Sequence, residues 1–200
     1  MGLHRVAAVA GFVSGLLIVV NAARRGGLVA ETDFTHAIAP FGALTGLLAV
    51  TGIYLAIRHR AGALGLVGYV LNSAGLAGAF AVEYILHYVF PYLGAGTVAA
   101  LLTGMTGTAF LVTSAVLVIG VVVFGVAAVR SGTMPVVGVV LYVAGMLPGS
   151  LRSLVPVPLY LGGLVVAAVG VVWMSARLWS VGAAGETGAL RRTTRRSVTP

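Results

Sequence analysis

The sequence predicts an all-α fold, a polytopic transmembrane helical bundle of about six spans. Three observations lead to this fold class. Hydrophobic residues make up 60% of the chain and charged residues only 8%. The mean hydropathy is +1.09, far above that of soluble domains. Long apolar segments use up nearly all of residues 1–180, which therefore form one membrane domain with no room for a separate soluble catalytic module.

Six apolar spans are predicted in order along the chain, and charged or helix-breaking residues separate most of them. They cover residues 5–23, 36–57, 64–90, 98–129, 135–147 and 158–179. The fifth is short for a hydrocarbon core of about 30 Å, and we expect it to break at Pro148 and Gly149. Such a broken span can line a binding cavity, although it can also be a simple tilted connection.

The first two spans raise separate questions about their start. Val20-Asn21-Ala22 follows an apolar run as a signal-peptide cleavage site would, so a cleaved leader is an alternative to the first span. A cleaved chain would keep five spans. Asp33 and Thr35 precede the second span, and we expect them to cap its helix.

The distribution of arginine predicts that both chain termini are cytoplasmic. With six spans, nine arginines fall on the cytoplasmic side: Arg5, Arg58, Arg60, Arg130, Arg177, Arg191, Arg192, Arg195 and Arg196. Only Arg24, Arg25 and Arg152 face outward. The arginine-only basic set and the abundant alanine, glycine and valine resemble, in general style, small polytopic proteins of the bacterial cytoplasmic membrane, which is the expected location.

The charge and the missing residue types exclude several functions. The net charge of +8 comes from arginines that cluster at the ends of apolar spans. Nucleic-acid binding is disfavoured, because the sequence has no basic segment with interleaved aromatic residues. The absence of lysine excludes Schiff-base chemistry and a Walker-type phosphate loop. The absence of cysteine excludes disulfides and thiolate nucleophiles.

Residues 181–200 are predicted to form a disordered cytoplasmic tail, because their composition cannot bury a core. The tail carries four arginines: Arg191, Arg192, Arg195 and Arg196. Each gains about 1 kcal/mol beside an anionic leaflet, so the expected partner of the tail is anionic lipid. A second copy of the chain or another membrane protein is a further possible partner.

A polar stripe on the third span is the strongest sign of a functional site. At 100° per residue, Tyr69, Asn72, Glu83 and His87 fall within roughly 40° of Glu83 on one helix face. An ionisable side chain in hydrocarbon costs about 2.5–3.5 kcal/mol, which makes it a candidate functional residue by default. We therefore predict a pocket near the outer surface, formed by Glu83, His87, Asn72, Tyr69, Arg152 and His36.

Glu83 has two interpretations. In the structural one, its carboxylate pairs with His87 or Arg152 and only holds helices together. In the functional one, it accepts a proton or cation that His87 relays to the outside. Asn72 similarly fits an interhelical hydrogen bond, worth about 0.6 kcal/mol on average.

A metal site is a weaker alternative. Glu31, Asp33, His36, Glu83 and His87 have suitable ligand types, but only Glu83 and His87 have helical spacing and no zinc-protease signature accompanies them. We therefore predict neither a metal nor a cofactor.

Three functions remain open at this level. The favoured one is a small carrier or channel whose outward-facing pocket around Glu83 handles a proton, a cation or a small molecule. The alternative is a structural or accessory subunit of a membrane complex. The third is an enzyme acting on a lipid or quinone at the outer leaflet with Glu83 and His87 as acid and base, and it is disfavoured because no nucleophile or diphosphate-binding motif is present.

Overall fold

The computed structural model describes residues 2–196, with side chains described for residues 2–182, and every element in this part of the chain is helical. The helices are α1 Leu3–Arg25, α2 Asp33–Ile38, α3 Phe41–Tyr88, a 3₁₀ turn at Phe90–Tyr92, α4 Ala95–Thr103, α5 Met105–Arg130, α6 Val136–Ser150 and α7 Val157–Arg196. Four segments are long and apolar enough to cross a membrane: Leu3–Arg25, Asp33–Tyr92, Met105–Arg130 and Val157–Gly182. The predicted all-helical class is confirmed for the described residues, and these four segments fit the predicted membrane bundle.

Helix α3 is a helical hairpin rather than a straight rod. Gly62 has φ 57° and ψ −154°, a backbone conformation that is essentially restricted to glycine. The ring of Tyr54 stacks on that of Tyr69 with centroids 4.3 Å apart, and Phe41 meets Phe80 at 6.2 Å. Contacts between residues at similar distances along the chain on either side of Gly62 show that residues 41–61 and 63–88 run antiparallel.

The predicted gap between the second and third spans, residues 58–63, is mostly helical in the structure. Helical geometry continues through Arg58-His59-Arg60, and one glycine makes the whole turn. Charged residues indicated a span boundary there, but they lie on the last helical turn because side chains at a membrane surface can reach water without a loop.

Two other predicted boundaries also differ. The predicted span 98–129 is interrupted at Gly104, whose extended backbone separates α4 from α5. The predicted break at Pro148 and Gly149 does not occur, because α6 continues to Ser150 with Pro148 inside its last turn. Near a helix end, the carbonyl groups that proline disturbs have few helical partners to lose.

The bundle core lies where α1, α3, α5, α6 and α7 pack together, around fully buried Ile53, Phe124 and Leu178. Close approach of α3 and α5 depends on Gly120, since a Cβ there would lie 2.3 Å from the backbone nitrogen of Asn72. Large apolar side chains cover the outer faces of the helices, among them Leu16, Leu48, Val70, Ile119, Val137 and Val169. Such a surface fits lipid rather than water.

The two ends of the bundle differ in charge. At one end, here called the arginine end, Arg5 lies 5.3 Å from the ring centroid of Trp179, and the Nε of Arg177 donates to the carbonyl of Thr133 at 3.3 Å. This end holds Arg5, Arg58, Arg60, Arg130 and Arg177, and among the described side chains it holds no acid. The opposite end, here called the site end, holds Arg24, Arg25 and Arg152 with Glu31, Asp33 and Glu83.

The predicted cytoplasmic tail carries the four remaining arginines of the chain. Arg191, Arg192, Arg195 and Arg196 lie outside the side chains that the structure describes. Helix α7 extends to Arg196 and so overlaps the predicted disordered tail, whose contact with anionic lipid stays a prediction.

Candidate functional site

The last turn of α1 supplies the cationic part of the site. Asn21, Arg24 and Arg25 lie there at helical spacing, so that their side chains leave the same end of the helix. Cations at a helix C-terminus are stabilised by the helix dipole. Arg24 is nevertheless only 4% exposed, and its Nε is buried without a hydrogen-bond partner among the described residues. Two arginines in a bundle interior need anionic or polar partners. Arg24 pairs with Glu31, whose Oε1 lies 3.4 Å from Nη1, and donates from Nη2 to Oδ1 of Asn21 at 2.9 Å.

Glu83 on α3 is the carboxylate that meets Arg25. Nη2 of Arg25 lies 2.7 Å from Oε1 and 2.8 Å from Oε2 of Glu83, with the two side chains 11% and 18% exposed. Nδ2 of Asn21 lies 3.4 Å from the same Oε2, and Nε2 of His87 lies 3.2 Å from it. Nη1 of Arg25 also donates to the hydroxyl of Tyr160 in the first turn of α7. Through these two contacts, Arg25 joins α1 to both α3 and α7.

His36 reaches the site from the short helix α2. The N-cap of α2 is Thr32, whose hydroxyl accepts from the N–H of Thr35 at 3.2 Å, while the hydroxyl of Thr35 accepts from the N–H of Thr32 at 2.9 Å. The capping box satisfies both ends of the turn. Asp33, which we expected to be a cap, lies in the first turn instead, and Thr35 contributes as the third helical residue. The hydroxyl of Tyr88 holds α2 against α3 by donating to the carbonyl of Ala37 at 2.7 Å.

A chain of hydrogen bonds runs from Arg24 through both histidines to Glu83. Nη1 of Arg24 lies 3.5 Å from Nε2 of His36, and the Nδ1 atoms of His36 and His87 lie 2.8 Å apart. Because a carboxylate only accepts, Nε2 of His87 carries the proton toward Glu83. Nδ1 of His87 then accepts from Nδ1–H of His36, whose Nε2 accepts from Arg24. Each of these contacts has one donor and one acceptor, while Nη2 of Arg24, which lies 3.2 Å from the protonated Nε2 of His87, donates to Oδ1 of Asn21 instead.

The same atoms allow a second arrangement of protons. If the proton on Nε2 of His87 moves to Glu83, Nδ1 of His87 takes the proton of His36, and His36 regains one at Nε2. The emptied Nε2 of His87 then faces Nη2 of Arg24, which lies 3.2 Å away and can donate to it. Arg24 is thus placed to donate to whichever ring nitrogen lacks a proton. The site can pass one proton to Glu83 without moving a heavy atom.

Two cavities meet at Glu83. The narrow cavity, of about 120 Å³, lies among α1, α3, α6 and α7 and is lined by residues that include Ser14, Asn21, Tyr142 and Met174. The wide cavity, of about 580 Å³, lies beside α5 and is lined by residues that include Thr108, Ser114, Ser150 and Arg152. Ala79, Glu83, Leu117, Gly149 and Tyr160 line both. Glu83 and Tyr160, which both contact Arg25, therefore lie at the junction of the two cavities.

Similarity to known proteins does not identify this site. No family model, curated protein or solved structure matches the chain. The chemistry of the site is therefore inferred from its geometry.

The structure brings together three of the six predicted pocket residues, His36, Glu83 and His87, in direct contact. Arg152 is exposed and lines the wide cavity, but it makes no hydrogen bond or ion pair with any described residue, and the guanidinium partner of Glu83 is Arg25.

Tyr69 and Asn72 lie elsewhere in the bundle. The hydroxyl of Tyr69 contacts that of Thr51 at 3.3 Å, and Oδ1 of Asn72 accepts from the hydroxyl of Tyr142 at 3.1 Å. Asn72 is fully buried, and its Nδ2 has no partner among the described residues. The predicted polar stripe therefore divides into a packing contact at Asn72 and the site at Glu83.

Four residues of the site were missed by sequence analysis: Asn21, Arg24, Arg25 and Tyr160. The arginines were interpreted as the end of a span and Tyr160 as part of an interfacial aromatic belt. The sequence did contain a signal, because Asn21 lies inside the first span one helical turn before Arg25. Polar side chains at this spacing share a helix face, which predicts a polar patch at the end of the span. Among the described residues, no three histidine or acidic side chains are arranged to hold a metal ion.

Proposed function

We propose that the chain is a six-crossing protein of the bacterial cytoplasmic membrane, with its arginine end in the cytoplasm. The crossings are α1, the two halves of α3, α5, α6 and α7, of which α6 is the shortest, with 15 residues and a length of about 22 Å. The antiparallel halves of α3 support two crossings, since residues 41–61 and 63–88 are each long enough to span about 30 Å. The positive-inside rule supports the orientation, because five arginines and no described acid lie at one end.

We further propose that it is a small proton-coupled carrier. One observation carries this proposal: Glu83 lies at the junction of two cavities and is held there by Arg25. While Glu83 is charged, its pair with Arg25 keeps the junction closed. When Glu83 takes up a proton it loses the charge that attracts Arg25, and the two sides of the junction can separate.

The histidine pair supplies the proton. One proton enters at Nε2 of His36, which is partly exposed at the site end, and one leaves Nε2 of His87 for Oε2 of Glu83. The two rings exchange the proton between their Nδ1 atoms at 2.8 Å. Each ring ends neutral in its other tautomer, so the one positive charge that enters with the proton neutralises Glu83, and the transfer needs no bulk water inside the bundle.

A proton suits this site better than a metal cation. Three arginines, Arg24, Arg25 and Arg152, lie at the site end, and Glu83 is the acid that the network surrounds. The three arginines and three acids of the site end balance, but within the buried network two guanidinium groups, Arg24 and Arg25, lie around the single carboxylate of Glu83. A free cation would meet this local excess of positive charge, whereas a proton can pass along hydrogen bonds that already exist.

Proton uptake by proteoliposomes tests this proposal. Purified protein is reconstituted in phosphatidylcholine vesicles with an entrapped pH-sensitive dye, and potassium with valinomycin removes the membrane potential. We expect lumenal acidification after an external acid step to be faster than in protein-free vesicles, and E83Q to abolish the difference. The control D33N changes an exposed acid in α2 and should behave as the wild type. Equal rates in wild-type and empty vesicles, or full activity in E83Q, would contradict the proposal.

One observation favours a second function, a structural or accessory subunit. Arg25 contacts both Glu83 and Tyr160, so a single side chain joins α1, α3 and α7. If this connection only stabilises the bundle, proteoliposomes take up no protons, and the chain is recovered from gentle detergent with a membrane partner. The proteoliposome experiment separates the two functions.

A further inference from the structure

One wall of the wide cavity carries a cationic side chain that has no partner among the described residues. Arg152 lines it from the segment between α6 and α7, is exposed, and pairs with none of the described residues. Ser150 lines the same side, and its buried hydroxyl has no hydrogen-bond partner among them either. An arginine and a hydroxyl that both lack partners on one cavity wall are donors available to a ligand.

The start of α5 adds further donors to the same cavity. Its N-cap is Gly104, which offers no side-chain oxygen, and Gly104, Gly107 and Thr108 line the cavity. The N–H group of Thr108 bonds to the carbonyl of Gly104, but those of residues 105–107 have no acceptor among the described residues. Free N–H groups at the start of a 26-residue helix favour an anion.

The remaining wall of the wide cavity is apolar. Val82 and Leu86 of α3, Leu102 of α4, and Phe110 and Leu111 of α5 form it. Leu102 and Leu111 are about half exposed, at 45% and 50%, so the wall extends onto the surface that would face lipid. A volume of about 580 Å³ lies within the range of small-molecule sites.

We propose that the wide cavity binds an anionic amphiphile, a carboxylate or phosphate group attached to an apolar chain. The oxyanion lies against Arg152, Ser150 and the start of α5, and the chain lies along Leu86, Leu102 and Phe110. Glu83 also lines this cavity, but both of its carboxylate oxygens contact Arg25, which offsets the repulsion of an anionic ligand.

The anionic amphiphile would be the substrate of the proposed carrier. That the ligand is transported rests on the proposed function, whereas its binding to the wide cavity does not. Binding itself is measured at equilibrium. Decanoate binding without proton uptake would overturn the carrier and keep the site. Proton uptake without decanoate binding would overturn the site and keep the carrier.

Equilibrium binding of radiolabelled decanoate to the full chain in phosphatidylcholine nanodiscs tests the site. We expect saturable binding above that of empty discs, and competition by unlabelled decanoate at least tenfold stronger than by decanol, which has the same chain without the charge. R152Q should weaken decanoate binding roughly tenfold or more, because it removes charge-assisted hydrogen bonds. R130Q, at the arginine end, should leave it unchanged.

A second variant tests the location. S114F grows into the empty space of the wide cavity and should abolish decanoate binding while the protein stays monodisperse and helical. Equal competition by decanol and decanoate, unchanged affinity in R152Q, or unchanged affinity in S114F would each overturn the assignment.

Two further arms identify the source of the oxyanion. Displacement of decanoate in nanodiscs of phosphatidylglycerol would show that the anionic group belongs to a bilayer lipid, and retention would show a single-chain ligand. Inorganic phosphate that competes as strongly as decanoate would show that the apolar wall contributes nothing, which contradicts the amphiphile.

Discussion

The Nδ1 atoms of His36 and His87 lie 2.8 Å apart although 51 residues separate them in the chain. The contact joins the short helix α2 to the last turn of α3, and it can hold only one proton between the two rings. Since His87 also contacts Glu83, the position of the proton on His36 of α2 is coupled to the carboxylate at the cavity junction.

Replacing either histidine should interrupt proton delivery to Glu83. We expect H36Q and H87Q each to slow proton uptake by proteoliposomes at least tenfold, because an amide does not pass a proton between two positions. The double variant should be no slower than H87Q, since both residues serve one path. H59Q, near the turn of α3 at the arginine end, is the matched control. Independent and additive effects of H36Q and H87Q would show that the rings do not act in series.

The pair of Arg25 and Glu83 should dominate the stability of the site end. Removing one partner leaves a buried charge uncompensated, and we expect R25Q and E83Q each to lower the free energy of unfolding by about 3 kcal/mol. R25Q/E83Q should recover part of this loss, with an interaction energy of about 1–3 kcal/mol. Unfolding in mixed detergent micelles, followed by circular dichroism, measures the cycle.

The same cycle with Arg152 is its control. Arg152 makes no ion pair with Glu83, so E83Q and R152Q should be additive to within about 0.5 kcal/mol. Coupling at Arg152 as strong as at Arg25 would show that the carboxylate has the wrong partner in the structure.

The contact of Asn72 with Tyr142 should matter for packing and not for proton movement. Y142F removes the donor to Oδ1 of Asn72, and we expect a loss of about 1 kcal/mol in the free energy of unfolding. Proton uptake by Y142F should equal that of the wild type. A loss of uptake with unchanged stability would place Tyr142 on the proton path.

Gly120 should be required for the approach of α5 to α3. In G120A the new methyl group would meet the backbone of Leu71 and Asn72, and we expect a loss of about 1–3 kcal/mol in the free energy of unfolding. G162A is the matched control, because a Cβ at Gly162 meets no atom within 4 Å. It should raise the stability of α7 by up to about 1 kcal/mol, since alanine favours a helix over glycine. Equal effects would mean that the helices are not in close contact at Gly120.

The sequence was sufficient for an all-helical chain with membrane-length helices and for the presence of a carboxylate inside an apolar span at Glu83. Hydropathy depends only on composition along the chain, and a carboxylate inside an apolar span is visible without a structure. Helical spacing also placed His87 one turn from Glu83, where the structure has it.

The partners of Glu83 could not be predicted in the same way. Arg25 lies 58 residues away in the chain, and arginines at a span end usually face the membrane surface. Only the packing of α1 against α3 turns Arg25 inward. The separation of Asn72 from Glu83 has a similar cause, because points on one helix face that are about 16 Å apart along the axis meet different neighbouring helices.

The closure of the cavity junction by Arg25 and Glu83 can be measured through the reactivity of one thiol. The chain has no cysteine, so S14C places a single thiol in the narrow cavity and T108C one in the wide cavity. A small water-soluble methanethiosulfonate is added at constant pH to each variant with and without E83Q, which imitates the protonated carboxylate. The proposal predicts that E83Q speeds the labelling of S14C at least tenfold and leaves that of T108C unchanged. Equal labelling of S14C with and without E83Q would contradict it.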